Sequence, residues 1–323
     1  MEIRISELES LLIGKLLGKG FARAEAKIIT AEFIGGDLAG KTTHGVFSFP
    51  RFYRRISTTS RGHFRVSKDR GPIAYFDGRG DAGQLLAARA VDMIVRKAKR
   101  YGVAAVGGGN HVFFQRPAAW AEKMAEREII GLCFIYGGGP IIAPTGSAEP
   151  ILSTNPIGIA IPTAKEPIVL DMAVSEKAYS NVDVAKALGK KLAGDWALDR
   201  AGRPTRDPHQ AVSIRPIAGY KGFGLALMLE ILTGALMQTP AGKRGKGPRG
   251  FLFIGIDPRA FTTVAAFRRE TAKLVREVKG ARRLPGVSSI RLPGERASAL
   301  RKEILKRGTI EIDPRTLDAI RKL

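Results

Sequence analysis

The order in which predicted helices and strands alternate constrains the fold of this chain most strongly. From residue 73 onward, amphipathic stretches with helical spacing alternate with short apolar runs, and glycine-rich segments follow several of those runs. The pattern predicts helices at 83–101, 118–128, 223–237 and 261–278, and strands at 73–76, 103–106, 129–135, 157–161, 168–170 and 251–256. Alternating helices and strands predict an α/β body.

The two ends of the chain are predicted to be helical. Ser6 and Glu9 have the spacing of a capping box, and leucines at helical spacing follow up to Gly18. A second helix is predicted at 23–33 and ends at the glycine pair 35–36, so that the chain opens with a helical hairpin. Further helices are predicted at 51–55 and 295–307.

The net charge is the unusual property of the composition. Lys and Arg total 53 against 30 Asp and Glu, a formal net charge of +23. Such a charge is typical of proteins that bind nucleic acids, anionic substrates or phosphate-bearing cofactors. Most basic residues are interleaved with acidic and apolar ones at helical spacing, and only 243–249 resembles a basic loop. We therefore favour solvated helix faces and keep nucleic-acid binding as an alternative.

The cysteine count and the hydropathy indicate the compartment. The single cysteine, Cys133, excludes an intrachain disulfide and a cysteine-based zinc site, and it is typical of a reducing cytoplasm. No apolar run reaches the roughly 18 residues of a membrane span. We expect a cytoplasmic protein with no membrane partner.

A phosphate-loop pattern lies between the second predicted helix and residue 42. Residues 35–42 match G-x-x-x-x-G-K-T, and such a loop needs a buried strand before it and a helix after it. Here the preceding stretch has a helical pattern, and no apolar helix follows directly. We interpret the match as coincidental, and a P-loop nucleotide hydrolase that uses Lys41 stays an alternative.

The chain has four histidines, and two of them lie in glycine-rich segments. His44 precedes Gly45, and His111 follows three glycines and an asparagine in a predicted loop after the strand 103–106. Loops at strand ends collect ligand sites, and histidine can transfer a proton to or from a substrate oxygen. A loop-ordering role is the alternative for each. His63 and His209 are predicted at the surface, and the spacing disfavours a zinc site.

Lys221 lies in a glycine-rich turn at the start of an apolar helix. A lysine at this place can pair with a phosphate or a carboxylate. An exposed lysine in a simple turn is the alternative.

Several segments together resemble the malate/L-lactate dehydrogenase family that is distinct from the Rossmann-type dehydrogenases and includes sulfolactate dehydrogenase, ureidoglycolate dehydrogenase and Δ1-piperideine-2-carboxylate reductase. They occur in family order and cover nearly the whole chain. The segments are 43–46 with 50 and 54–55, 110–111, 143–144, 154–156, 170–173, 196–199, 202–205, 220–226, 256–258, 261 and 292–296.

The resemblance implies a fold, a reaction and an assembly. It implies NAD- or NADP-dependent, reversible reduction of a small 2-oxo acid or a cyclic imino acid by a homodimer. The fold implied is a helical N-terminal region packed with the C-terminal tail, plus a non-Rossmann α/β body. In that division, residues 1–72 with 290–323 form the helical region for substrate and dimer contacts, and residues 73–289 form the body that binds the nicotinamide cofactor.

The resemblance also implies roles for individual residues. His111 matches the acid/base histidine, and Thr43 with His44 matches a hydroxyl–histidine pair at the substrate. The residues that match cofactor contacts are Asp171, Met172, Ala173 and Lys221, and Gly138 is a further predicted cofactor contact at a position where family members often have a polar residue. In the implied reaction, hydride moves between the nicotinamide and the substrate carbon while a histidine carries the proton.

The chain departs from the family pattern at the predicted substrate site. Ser48 stands where family members usually have an arginine for the substrate carboxylate, and Thr43 replaces a serine. Arg51 or Arg54, one turn further on, could bind the carboxylate instead, because a guanidinium can bind it through two hydrogen bonds. A divergent, inactive homologue is a further hypothesis.

Overall fold

The computed structural model describes residues 1–56, 64–245 and 249–323. His63 and residues 246–248 of the predicted basic loop lie outside the described residues. The helices are α1 Ile5–Gly18, α2 Arg23–Leu38, α3 Phe49–Arg55, α4 Gly83–Tyr101, α5 Pro117–Ala125, α6 Ser180–Ala187, α7 Tyr220–Glu230, α8 Val264–Gly280, α9 Glu295–Arg307 and α10 Pro314–Arg321. The strands are β1 Glu2–Arg4, β2 Arg65–Arg70, β3 Ile73–Asp77, β4 Val103–His111, β5 Ile130–Ile135, β6 Ile157–Ile161, β7 Ile168–Met172, β8 Ala197–Leu198, β9 Pro204–Thr205, β10 Ser213–Ile214, β11 Arg249–Ile256 and β12 Thr309–Glu311.

A seven-stranded mixed sheet forms the body, in the order β2-β3-β4-β11-β5-β6-β7. The helix α4 connects β3 to β4, which pair in parallel. The five other pairs of adjacent strands described in this sheet are antiparallel. A Rossmann sheet is mostly parallel, so this topology differs from it. The predicted α/β class of non-Rossmann type is confirmed.

The helical N-terminal region packs with the C-terminal tail, as predicted. Strand β1 pairs with β12, so that Ile3 lies opposite Ile310. One hydrophobic core joins the first helices to the tail, and its fully buried residues include Leu8, Phe33 and Leu317. Burial of these apolar side chains gives the two chain ends a common core.

Several helix boundaries differ from the predictions, and three of the differences have a visible structural basis. The predicted capping box of Ser6 and Glu9 is wrong, because α1 already begins at Ile5 and no described side chain caps it. It is the Glu25 carboxylate, in the first turn of α2, that accepts a 2.8 Å hydrogen bond from the Ala22 N–H. The helix α2 continues through residues 35–36, because Gly36 packs against the 44–45 segment: a Cβ there would lie 2.5 Å from the carbonyl oxygen of His44. The predicted helix 223–237 is α7 followed by a π-helical turn, Ile231–Ala235.

The glycines of residues 107–109 belong to a strand rather than to a loop. Strand β4 runs on to His111, although the prediction ended it at residue 106. A Cβ at Gly108 would lie 2.4 Å from the carbonyl oxygen of Phe76, and one at Gly107 would lie 2.4 Å from the sulfur of Met237. The missing side chains therefore allow close packing on the sheet.

The structure bears on the phosphate-loop pattern of residues 35–42. The glycines 35 and 36 lie inside α2, so the phosphate-loop pattern does not follow a strand and the match is coincidental.

Within the described ranges, no helix is both long and apolar enough to cross a membrane.

Candidate active site

The segment after β4 adopts a strained backbone. Three residues other than glycine have positive φ: Asn110 at 60°, Phe113 at 50° and Gln115 at 64°. Each such residue costs about 1–3 kcal/mol and persists where the surroundings determine the conformation, most often at functional sites. The segment 110–115 is therefore a structural feature that calls for a functional explanation.

The start of α4 holds this segment in place. The Gly83 N–H donates a 2.8 Å hydrogen bond to the carbonyl of Val112, and the Val112 N–H donates a 2.9 Å bond to the carbonyl of Asp81. A Cβ at Gly83 would lie 2.0 Å from the carbonyl oxygen of Phe113 and 3.0 Å from Nδ1 of His111. Only a glycine lets the helix begin this close to the segment.

The His111 side chain is buried beside aromatic residues. The residue is 4% exposed, and its ring packs edge-on against Phe114 with centroids 4.1 Å apart. Neither ring nitrogen has a hydrogen-bond partner among the described residues. Burial, and next the charge of Arg249, hold the pKa of His111 well below 6.5. The imidazole is therefore neutral near pH 7 and free to bond a ligand.

Three guanidinium groups surround the ring of Phe113, two residues after His111. The Cζ atoms of Arg51, Arg249 and Arg55 lie 5.0, 5.4 and 5.8 Å from the ring centroid. Burial, followed by the charges of Arg51 and Arg55, lowers the pKa of Arg249 to about 10. The site therefore carries a concentrated positive charge beside a neutral histidine.

The predicted pair Thr43 and His44 lies in a short 3₁₀ turn, Thr42–His44. The Thr43 hydroxyl lies 3.2 Å from Nδ1 of His44. Burial lowers the pKa of His44, and the charges of Lys41, Arg116 and Arg51 act in the same direction, whereas Asp171 opposes them. Arg51 thus acts on the His44 turn and also lies against Phe113.

A carboxyl group beneath this turn positions it. The N–H of Val46 donates a 2.8 Å hydrogen bond to Oδ2 of Asp37, and a Cβ at Gly45 would lie 2.3 Å from Oδ1. Burial raises the pKa of Asp37 to about 7. The next turn is closed by Ser48, whose hydroxyl donates to the Gly45 carbonyl at 2.8 Å.

An ion pair joins the end of β7 to the helical region. Nε of Arg116 donates to Oδ2 of Asp171 at 3.0 Å, and the two side chains are 10% and 17% exposed. Arg116 also donates to the carbonyl of Gly35 in α2 at 3.3 Å. The pair therefore ties the edge strand of the sheet to the helix that precedes the His44 turn.

Comparison with known proteins decides the family. The model of the malate/L-lactate dehydrogenase family matches residues 3–321. The chain belongs to this family. The malate/(S)-sulfolactate dehydrogenase of Methanothermus fervidus is 30% identical, over 100% of this chain and 97% of that protein. An NADP(+)-dependent (2R)-3-sulfolactate dehydrogenase of Chromohalobacter salexigens is also 30% identical, over 99% and 97%. The solved sulfolactate dehydrogenase of Methanocaldococcus jannaschii superposes with a TM-score of 0.91 at 29% identity, over 100% and 96%.

Four of the five residues of this dehydrogenase that were predicted to contact the cofactor lie near the ends of β5 and β7, and the fifth, Lys221, lies in α7. Met172 ends β7, and beyond Ala173 the N–H of Val174 donates to the Thr154 carbonyl at 3.0 Å. The N–H of Ile217 in turn donates to the Val174 carbonyl at 3.0 Å, and the exposed Lys221 follows four residues later, in the first turn of α7.

A polar loop lies beside this backbone connection and fits a polar ligand. The Glu230 carboxylate accepts hydrogen bonds from the Ser153 N–H at 3.0 Å and from Nδ2 of Asn155 at 2.6 Å. A Cβ at Gly137 would lie 2.3 Å from the Thr154 hydroxyl, so the loop 137–139 packs against these residues. The Ser153 hydroxyl and Oδ1 of Asn155 are buried without described partners, which fits the binding of a nicotinamide cofactor.

One predicted substrate residue lies apart from the others. Arg54 borders a surface groove with Arg315, Asp318 and Lys322 near α10. Arg51, by contrast, lies against Phe113. Of the two arginines proposed to replace the usual one at position 48, the structure brings only Arg51 to the histidines.

Sequence reasoning missed Arg55 and Arg249, which share the ring of Phe113 with Arg51. Arg249 was assigned to the basic loop 243–249, but it is the first residue of β11. An arginine that directly precedes a strongly apolar run was the available signal. His209 lies at the surface, as predicted.

Proposed function

We propose that this protein is an NAD(P)-dependent oxidoreductase that interconverts a small 2-hydroxy acid, of the malate, lactate or sulfolactate type, and its 2-oxo acid. The observation that carries the proposal is the buried, neutral His111 beside a cluster of guanidinium groups, with both ring nitrogens unpartnered in the part of the chain that the structure describes. A hydroxy acid supplies both groups that such a site would bind, a hydroxyl that loses a proton and a carboxylate.

His111 acts as the acid/base in this proposal. The bound nicotinamide supplies or accepts the hydride. In the oxidation direction, the neutral imidazole takes the proton of the substrate hydroxyl, and a pKa below 6.5 keeps it ready to do so at neutral pH. In the reduction direction, the protonated ring returns that proton to the oxygen. Burial of the ring excludes water from the transfer.

Thr43, His44 and Arg51 position the substrate. The 3.2 Å contact between the Thr43 hydroxyl and Nδ1 of His44 orders the two side chains relative to each other, and we expect both to face the substrate. Arg51 binds the substrate carboxylate, for which a guanidinium offers two hydrogen bonds. A role for Arg54 stays a sequence-based prediction.

The cofactor is proposed to bind at Asp171, Met172, Ala173, Lys221 and Gly138, in the body of residues 73–289. The helical region, residues 1–72 with 290–323, would supply the substrate contacts from Thr43 to Arg51. Relatives include NAD(+)- and NADP(+)-dependent enzymes. The exposed Lys221 offers a cation to a cofactor phosphate.

We propose a homodimer. Apolar residues of α7 and the turn after it are exposed, among them Met228 at 52% and Leu236 at 56%. The amphipathic helix α8 buries no residue in the single chain and exposes Leu274 at 61%. A second copy of this chain would cover these surfaces. Light scattering should give twice the chain mass. We expect a cytoplasmic protein without nucleic-acid or membrane partners.

A spectrophotometric assay tests the proposed reaction. The absorbance of NADH and of NADPH is followed with pyruvate, oxaloacetate, sulfopyruvate, 2-oxoglutarate and a cyclic imino acid. Turnover of one 2-oxo acid supports the proposal. Cofactor binding without any turnover would favour the inactive homologue. Failure to bind either cofactor would reject the proposal.

A further inference from the structure

Arg249 lies directly opposite His111 in the ladder between β11 and β4. Side chains that face each other across an antiparallel pair have Cβ atoms about 5 Å apart on one face of the sheet. The charge of Arg249 acts on His111 accordingly. Arg249 is therefore placed beside the proposed acid/base by the sheet itself rather than by a loop.

The structure accommodates the guanidinium of Arg249 at a specific place. A Cβ at Gly138 would lie 2.7 Å from Nη2 of Arg249, so a side chain at this position, where φ is 86°, would have to displace the guanidinium. On another side, the ring of Phe113 lies 5.4 Å from Cζ. Cation–π contact stabilises the guanidinium in this position but does not neutralise its charge.

No carboxylate within the described ranges forms an ion pair with Arg51, Arg55 or Arg249. Asp183 acts on Arg51 from a longer distance. Three cations around one ring repel one another, and a partly buried charge is costly without a partner. An anionic ligand would remove that cost.

We propose, on the basis of the proposed function, that Arg249, Arg51 and Arg55 form an anion clamp that selects substrates with a second acidic group in addition to the 2-oxo or 2-hydroxy carboxylate. The clamp takes the place of the arginine that family members usually have at position 48. Ser48 itself donates its hydroxyl to the Gly45 carbonyl within its own turn. One carboxylate balances one guanidinium, whereas a dicarboxylate or a sulfonated acid balances two. Arg249 is the specificity-determining residue because it lies opposite His111.

The test compares Arg249→Gln with the wild type on a dianionic and a monoanionic substrate, oxaloacetate and pyruvate. We expect the wild type to prefer oxaloacetate in kcat/KM. Arg249→Gln should lower kcat/KM for oxaloacetate by ~10- to 100-fold, mainly through KM, because a hydrogen-bonded charge pair is lost. It should lower kcat/KM for pyruvate by a smaller factor, through the lost charge beside His111, so that the preference for oxaloacetate over pyruvate falls. Arg249→Lys should recover part of that preference. Sulfopyruvate distinguishes a sulfonate from a carboxylate as the second group.

A binding measurement separates failure of the clamp from failure of the proposed reaction. Tartronate, a dianionic hydroxy acid, should raise the unfolding temperature of the wild type but not of Arg249→Gln, while lactate raises neither by a comparable amount. The exposed Arg89→Gln removes the same charge from the outer face of α4 and should behave as wild type. Arg249-dependent tartronate binding without turnover would uphold the clamp and reject the reaction. Turnover with equal losses for both substrates in Arg249→Gln would overturn the clamp alone.

Discussion

Replacement of Gly83 by alanine is expected to displace the segment that carries His111. The added Cβ would lie 2.0 Å from the carbonyl oxygen of Phe113. Ordinary contact is about 3.5 Å, so the segment or the start of α4 has to move by more than about 1 Å. A displacement of about 1 Å at a reacting group can cost ~100-fold in rate. We therefore expect kcat of Gly83→Ala to fall ~100-fold, and the free energy of unfolding to fall by about 1–3 kcal/mol from overpacking.

Steady-state kinetics and thermal unfolding measure these two effects, and fluorescence titration of NADH or NADPH shows whether the cofactor still binds. Gly14→Ala is the matched control, because a Cβ at Gly14 in α1 meets no atom within 4 Å. That variant should keep the wild-type kcat and gain about 0.5–1 kcal/mol from the better helix propensity of alanine. A Gly83→Ala enzyme with wild-type kcat would refute the inference that α4 positions His111.

Three further predictions concern charged groups. The pKa of Asp37 is raised to about 7, above its unfolded value, so its protonated form contributes stability at low pH that is lost as the pH rises toward 7. The unfolding temperature of Asp37→Asn relative to wild type should therefore rise between pH 4 and 7, and a constant difference would contradict this. Arg116→Gln should cost about 3 kcal/mol in urea unfolding by leaving Asp171 without its partner, and Arg116→Gln/Asp171→Asn should recover part of that loss; additive losses would argue against the pair. The pKa of His111 predicts that kcat/KM for oxidation stays high below pH 6.5, whereas an acid limb above pH 6.5 would exclude His111 as the base.

Local patterns in the sequence were sufficient to predict most helices and strands of the α/β body. Helical spacing predicted α4 with the bounds that the structure has, and the apolar runs predicted β5 and β6 to within one residue. These elements follow from the periodic burial of their own side chains. The order of the family motifs along the chain was sufficient to identify the family.

Glycines misled the local reading where their role is contact with a distant segment. Residues 35–36 and 107–109 were interpreted as helix end and loop, but they continue α2 and β4. Atoms of distant segments pack where a Cβ would lie at Gly36 and at residues 107–109. That contact depends on the tertiary structure and leaves no local signal. The sequence analysis predicted Gly83 as a helix start and Gly138 as a cofactor contact, but not the close packing of Gly83 on Phe113 or of Gly138 on Arg249.

The arginine cluster could not be predicted because it depends on sheet topology. Strand β11 inserts between β4 and β5, and this insertion alone brings Arg249 beside His111. Arg51 and Arg54 are both arginines of the short helix α3, and the sequence alone does not favour one over the other. The packing of α3 places Arg51 against Phe113 and Arg54 at the surface groove near α10. The sequence analysis therefore named both arginines as candidates to bind the substrate carboxylate.

Turnover by the wild type and by His111→Ala, with both cofactors and the same 2-oxo acids, tests the central claim most directly. We predict nicotinamide-dependent reduction by the wild type and loss of turnover in His111→Ala, with the dissociation constant of the cofactor nearly unchanged. Undiminished turnover in His111→Ala would contradict the role of this histidine, and a wild type that binds neither NADH nor NADPH would contradict the proposed reaction.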